Sequence, residues 1–184
     1  MVTEELAKES IENQLEFFYR IFPAQVDVGQ NKLSTLDWLL SRTRDGTKTN
    51  APRELIHLLN SLRDVQIKRL EVGEGGELEG DFLFSRPSFK IALPEVSKVR
   101  LEQTIYAEFP KQKTWIEKLR GAKTLQTSDT LAELWGVSAE EAIRIANDLT
   151  EIGLFEPKGA GLQQEYWVPF LYRDELDLVQ GSAE

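Results

Sequence analysis

The chain has 184 residues, enough for one large or two small domains, and 41% of them are hydrophobic, the share of an ordinary soluble protein with a real core. Its formal charge of -9 sets it against nucleic-acid phosphate, and the lack of cysteine with a single histidine, His57, excludes a disulfide frame and thiolate chemistry and leaves little for a zinc site or a histidine-based triad. No apolar run approaches the roughly 20 residues of a membrane helix, and the start Met1-Val-Thr-Glu-Glu-Leu6 is acidic where a signal peptide is basic, so a cytoplasmic location is expected.

The first segment reads as a helix, because Leu6, Ile11, Leu15, Phe18, Tyr19 and Phe22 recur at three- and four-residue steps and build one apolar stripe. Pro23 stops it. Ser34-Thr-Leu-Asp37 offers a capping box for a short helix with Leu36, Leu39 and Leu40 inward and Trp38 on its flank. Asp45-Gly46 is a turn signal. Asn50 is then expected to cap a helix whose first turn accepts Pro52, since the amide hydrogen there has no helical partner anyway. Leu55, Ile56, Leu58, Leu59, Leu62, Val65, Ile67 and Leu70 carry that helix to about residue 70.

Glycine and glutamate dominate Glu71 to Gly80. Such a segment buries too little apolar area to repay its ordering entropy, so a mobile loop is expected. Pro87 and Pro94 read as loop residues. Ser97 is placed as the cap of a helix through Val99, Leu101, Ile105, Tyr106 and Phe109, with a kink or a fresh start at Pro110. The next helix carries Trp115, Ile116 and Leu119 and ends at Gly121.

Thr127 to Gly136 is a short helix closed by glycine. Ser138-Ala-Glu-Glu141 opens a second helix, with Ala142, Ile145, Ala146 and Leu149 on one face and Ile152-Gly153 at its end. Leu154-Phe155-Glu156-Pro157 is short and extended, Lys158-Gly-Ala-Gly161 is a turn, and Gln164 to Pro169 alternates like a strand. Helix, glycine turn, helix and two-stranded hairpin is the order of a winged helix-turn-helix. The tail from Tyr172 to Gly181 is expected to cover the wing as a helix or strand. The fold class is therefore mainly α: a helical, lid-like bundle over residues 1–72, a flexible acidic connector over 73–95, and a winged helix with a small β-hairpin over 96–184.

A second helix that reads DNA needs Arg, Lys, Asn or Gln near its start. Glu140 and Glu141 stand there instead, and Arg144 is the only cation between Ser138 and Ile152. The wing offers Lys158. Arg42, Arg44, Arg144 and Lys158 are the candidates for phosphate or nucleic-acid contact, and Arg42, Arg44 and Lys48 are placed as a small basic rim. Tyr166 and Trp167 alternate on a strand, so one faces the core and the other is an interface candidate. His57 reads as a half-buried helix residue with no oriented partner for catalysis.

Trp38 followed by Arg42-Thr-Arg-Asp-Gly46, then Pro52-Arg-Glu-Leu-Ile-His-Leu-Leu-Asn60, then the winged-helix order from Thr127 to Pro169 carry a resemblance. The chain resembles the C-terminal region of bacterial P-loop ATPases of the AAA+/STAND superfamily, where a helical lid precedes a winged helix. By that resemblance Arg53 is the nucleotide-sensing arginine, directed at the terminal phosphate of ATP held with magnesium by a domain N-terminal to this chain. No G-x-x-x-x-G-K-[ST] occurs here, and the glycine cluster Gly73 to Gly80 has no lysine. The chain alone is then expected to bind no cofactor or metal and to have no catalytic residue. A guanidinium on a helix N-terminus suits a phosphate; a solvent-facing Arg53, or one paired with Glu54 or Asp45, stands beside that reading. The expected function is a module that couples nucleotide state in an ATPase to a protein partner. A free-standing winged-helix DNA-binding regulator and an interaction scaffold are the alternatives.

Overall fold

A computed structural model describes residues 10–74, 82–159 and 164–183. The fold is mainly helical with a small mixed sheet. Helix α1 (Ile11–Ile21) starts at Ser10, whose hydroxyl accepts from the Asn13 amide at 3.1 Å. Its apolar stripe packs only at the C-terminal end. Phe18 and Phe22 join Phe84 and Phe89, whereas Ile11 is 75% exposed; Leu6 lies outside the described residues.

Helix α2 (Thr35–Thr43) has the expected cap, with the Ser34 hydroxyl accepting from the Asp37 amide and donating to its carboxylate. Trp38, expected on the flank, is in the core instead, with its ring edge-on to Phe89 at 5.9 Å. Helix α3 (Pro52–Glu71) has Pro52 in its first turn, but Asn50 does not cap it. The Asn50 amide turns back to the Leu40 carbonyl and the Thr43 hydroxyl and closes the end of α2. Glu54, Leu58, Leu62 and Gln66 form the buried row of α3, one residue per turn along one face.

Pro87 and Pro94 are not in loops. Helix α4 (Arg86–Val99) takes Pro87 in its first turn and Pro94 in its interior. Pro94 is tolerated because it faces solvent, where water can serve the carbonyl it leaves unbonded. The start of α4 is held by Gln66, whose side-chain oxygen accepts from the Ser85 amide at 2.8 Å and from the Ser85 and Ser88 hydroxyls. Ser97 caps nothing; it is buried in mid-helix and accepts from the Glu175 amide at 3.1 Å. The helix runs on as a π turn (Arg100–Ile105), in which the Tyr106 amide reaches back to the Leu101 carbonyl. It ends as α5 (Tyr106–Glu108) at Phe109, before Pro110, and α6 (Lys113–Glu117) is the fresh start.

A strand that the sequence pattern did not announce, β1 (Lys123–Thr127), precedes α7 (Ser128–Trp135) and α8 (Ala139–Glu151). Then come β2 (Glu156–Lys158), β3 (Glu165–Trp167), α9 (Phe170–Arg173) and β4 (Val179–Ser182). The sheet order is β2-β3-β1-β4. β3 is antiparallel to both β1 and β2, and β4 is parallel to β1. The tail thus supplies both a helical turn and a strand, but β4 lies at the edge opposite β2 and does not cover it. The turn at residues 160–161 and the loop at 75–81 lie outside the described residues.

The helical part and the sheet part meet at the Asp45 turn. Asp45 Oδ1 accepts from the Thr47 and Thr49 amides, which shapes an Asx-type turn. The Gly46 amide then donates to the Gly153 carbonyl at 2.6 Å. A Cβ on Gly46 would stand 2.1 Å from the Phe155 carbonyl oxygen, so only glycine fits. A second fastening joins Tyr106, which donates to Glu117 at 2.6 Å, to Arg120, which binds Glu117, Glu175 and Asp177.

Two predictions follow from these ties. Gly46→Ala is expected to lose at least about 2 kcal/mol of unfolding free energy, because backbone rather than a side chain must give way; urea denaturation followed by circular dichroism measures it. The Tyr106 hydrogen bond, with that of Arg120, outweighs burial and holds the Glu117 carboxyl below the ordinary glutamate range. A depressed carboxyl stabilises the fold above its unfolded value, and that contribution is lost as pH falls through the folded value. Tyr106→Phe is therefore expected to flatten the acid limb of the stability profile below the ordinary glutamate range and to leave its slope near neutrality unchanged.

Candidate functional site

The site grows from the first turn of α3 and the π turn that faces it. The helical row that carries Leu58 and Leu62 inward also carries Glu54, which is 4% exposed. A carboxylate there needs a cation, because a lone buried charge costs several kcal/mol. Arg100, the first residue of the π turn, supplies it: Nη1 stands 2.9 Å from Glu54 Oε1. Arg100 Nη2 lies 3.8 Å from Asp45 Oδ2, so the turn fastened by Gly46 also contributes charge. The buried Tyr172 of α9 faces the same guanidinium. Burial draws the Arg100 proton affinity down, but Tyr172, Glu54 and Asp45 more than offset this and leave it raised. Burial is also the main reason that the Tyr172 hydroxyl is pushed up to about 12.

Arg53 approaches the pair from outside. Its Nη2 lies 3.3 Å from Glu54 Oε1 and 3.0 Å from the Thr104 hydroxyl of the π turn. Its side chain is 67% exposed, so it is neither free in solvent nor sealed into the fold. Arg53, Glu54, Arg100 and Thr104 line a half-open cleft of about 370 Å³ with His57, Gln103 and two valines, Val96 and Val99. Glu54 Oε2 and Arg100 Nε, on two of the residues that line it, are buried without a hydrogen-bond partner among the described residues. Such groups are uncommon in folded proteins, and here they cluster. The arrangement can hold an anion on the outer guanidinium. A nucleophile set beside a base is not part of it.

The other basic candidates are dispersed. Arg42 lies over the rings of Phe170 at 3.7 Å and Trp38 at 4.9 Å, Arg44 is exposed at the end of α2, and Lys48 is 3.5 Å from Glu156. Arg42 and Lys48, two members of the expected basic rim, are thus drawn to different neighbours, and Arg44 is exposed. Arg144 pairs with Glu141 and, at 4.0 Å, with Asp148. Lys158 pairs with Glu156 and lies 5.1 Å from the Trp167 ring. Tyr166 is the inward member of its pair at 1% exposure. Trp167 is the outer, half-buried member, covered in part by Arg173 at 4.7 Å and Phe170 at 5.6 Å. Among the described residues no group of His, Asp and Glu is placed to hold a metal ion.

Arg100, Thr104 and Tyr172 were not anticipated, and Glu54 was expected only as a possible partner of Arg53, which it is. Glu54 had a signal, since it falls on the same face as Leu58 and Leu62 at four-residue steps. Arg100 had none, because nothing local distinguishes it from a solvated helix cation.

Arg100→Met is expected to destabilise the fold by about 3 kcal/mol, because it leaves the buried Glu54 carboxylate with only the mostly exposed Arg53 as a partner. Arg53→Ala is expected to stay within about 1 kcal/mol of wild type, since an exposed pair contributes little. Thermal and urea unfolding of the two variants side by side check this contrast.

Comparison with known proteins gives no family model, no curated protein and no solved structure that matches this chain.

Proposed function

We propose that this chain is a non-catalytic C-terminal module of a P-loop ATPase, which couples nucleotide state to a protein partner. The observation that carries the reading is Arg53: it stands in the first turn of a 20-residue helix, mostly exposed, at the mouth of a cleft. Its unused donors and the partial positive charge of the helix start favour a terminal phosphate at that place. In this reading ATP and magnesium belong to a nucleotide-binding domain ahead of the chain, and the setting is cytoplasmic; no described helix is long and apolar enough to cross a membrane.

The partner side is a winged helix. What supports this is the order β1, α7, α8, β2, β3 with β1 beside β3, which is the arrangement of that motif. Its second helix, α8, meets protein rather than DNA. Glu140, Glu141, Asp148 and Glu151 share its solvent side, and Arg144 is engaged by two of these acids. Lys158 is likewise engaged by Glu156. Few cations remain to release counterions from a duplex.

The test is a polypeptide that includes the coding sequence upstream of residue 1. A Walker A sequence in frame is expected there, with ATP turnover that falls at least about tenfold on Arg53→Ala while the protein stays folded. An upstream stretch without a Walker A sequence overturns the reading. Duplex binding by the present chain at about 50 mM salt, lost on Arg144→Glu, moves the assignment to a DNA-binding regulator.

A further inference from the structure

We propose that Arg53 is a parked arginine, held against the π turn by Thr104 and Glu54 until a phosphoanion draws it away. The proposal rests on the reading of Arg53 as the phosphate-facing residue and adds how that residue is restrained.

Glu54 Oε1 is shared by two guanidiniums, Arg100 at 2.9 Å and Arg53 at 3.3 Å. The two are not equivalent. Arg100 has a side chain only 13% exposed, and its departure would leave a buried carboxylate with only a solvent-exposed partner. Arg53 is mostly in solvent, and when it leaves, Arg100 still neutralises Glu54. Arg53 is therefore the exchangeable cation of the pair. Both guanidiniums contact the same oxygen, Oε1, while the buried Oε2 has no partner among the described residues. The carboxylate's hold on an exposed side chain is weak, which sets a low threshold for exchange.

The second restraint is the Thr104 hydroxyl, 3.0 Å from Arg53 Nη2 and borne by the π turn. A π turn carries one residue more than the α-helix around it and is common at functional sites. The same turn bears Arg100, which reaches Asp45 and faces Tyr172 of α9. An anion that lifts Arg53 off Thr104 thus unloads the segment on which the interior charge cluster is hung. Thr104 and Glu54 act here as positioning residues, and neither touches the anion.

The experiment titrates inorganic pyrophosphate into the chain and follows the Arg53 side-chain Nε–H by NMR. Thr104→Val removes one restraint, so the fraction of Arg53 ready to bind rises and apparent affinity is expected to increase about two- to fivefold. Thr104→Ala should give the same gain without added bulk, which covers a failure of the valine variant to fold. Thr104→Ser, which keeps the hydroxyl, should match wild type. Pyrophosphate binding that is lost in Arg53→Ala but unchanged or weaker in both hydroxyl-free variants overturns the parking and leaves Arg53 as the phosphate-facing residue. No binding of pyrophosphate to the wild-type chain overturns the parking, whereas the reading of Arg53 as the phosphate-facing residue of an ATPase falls only with the upstream Walker A test.

Discussion

A carboxylate in the core has to be answered by a cation at hydrogen-bond distance, and the Glu54–Arg100 pair, 2.9 Å apart, imposes that condition on much of this fold. Each ion gives up its hydration on burial, and their attraction repays the loss only where the geometry is kept. The first turn of α3 must therefore meet the start of the π turn closely. Asp45 and Tyr172 arrive at the same guanidinium from two other segments, so the turn at Gly46 and the helix α9 answer to the pair as well. The shapes of the Asp45 turn, the π turn and the α9 docking are then parts of one electrostatic requirement.

A second layer of contacts binds the helices to the sheet. Phe170 of α9 lies between Arg42 of α2 and Arg173, at 3.7 and 4.0 Å from its ring centre. Arg173 continues to Trp167 on β3, and Lys158 of β2 lies 5.1 Å from the same ring. Burial lowers the proton affinity of both arginines, with Arg173 held at about 10. Guanidiniums are weakly hydrated and stack well on aromatic faces, so these cations serve as packing. A disturbance near Arg53 therefore meets charged and stacked contacts that lead to β3, with α9 as the shared element.

The distribution of charge bears directly on what the molecule can bind. A chain with net charge -9 spends many of its cations on its own acids and rings. Arg100, Arg120, Arg144, Lys158 and Lys48 all have a carboxylate within 4.0 Å. Arg53 shares its carboxylate with a better-buried competitor and keeps most of its surface in water. Lys48 and Arg144 are nearly as exposed, so it is the place of Arg53 at the mouth of the cleft beside the π turn, rather than its burial, that sets it apart.

Helix positions were readable because they depend on near neighbours: Ser34, Pro52, Ser138 and the apolar steps of α3 and α8 each act within a turn or two of chain. That Tyr166 and Trp167 face opposite ways followed from strand alternation, but only the structure decided that Tyr166 is the inward one. The readings of Pro94 and Ser97 failed because helix α4 is decided by what packs on it: Gln66 holds its start, and solvent accommodates Pro94. Strand β1 hid because its inward residues, Thr124 and Gln126, are polar and invert the usual alternation. The sequence by itself determined several local helices, the caps at Ser34 and Ser138, the acidic character of α8 and the place of Arg53 in a first turn. Only the tertiary structure decided that Glu54 is shared between Arg53 and Arg100, since those arginines are far apart in the chain and a charge pair of that span leaves no periodic trace.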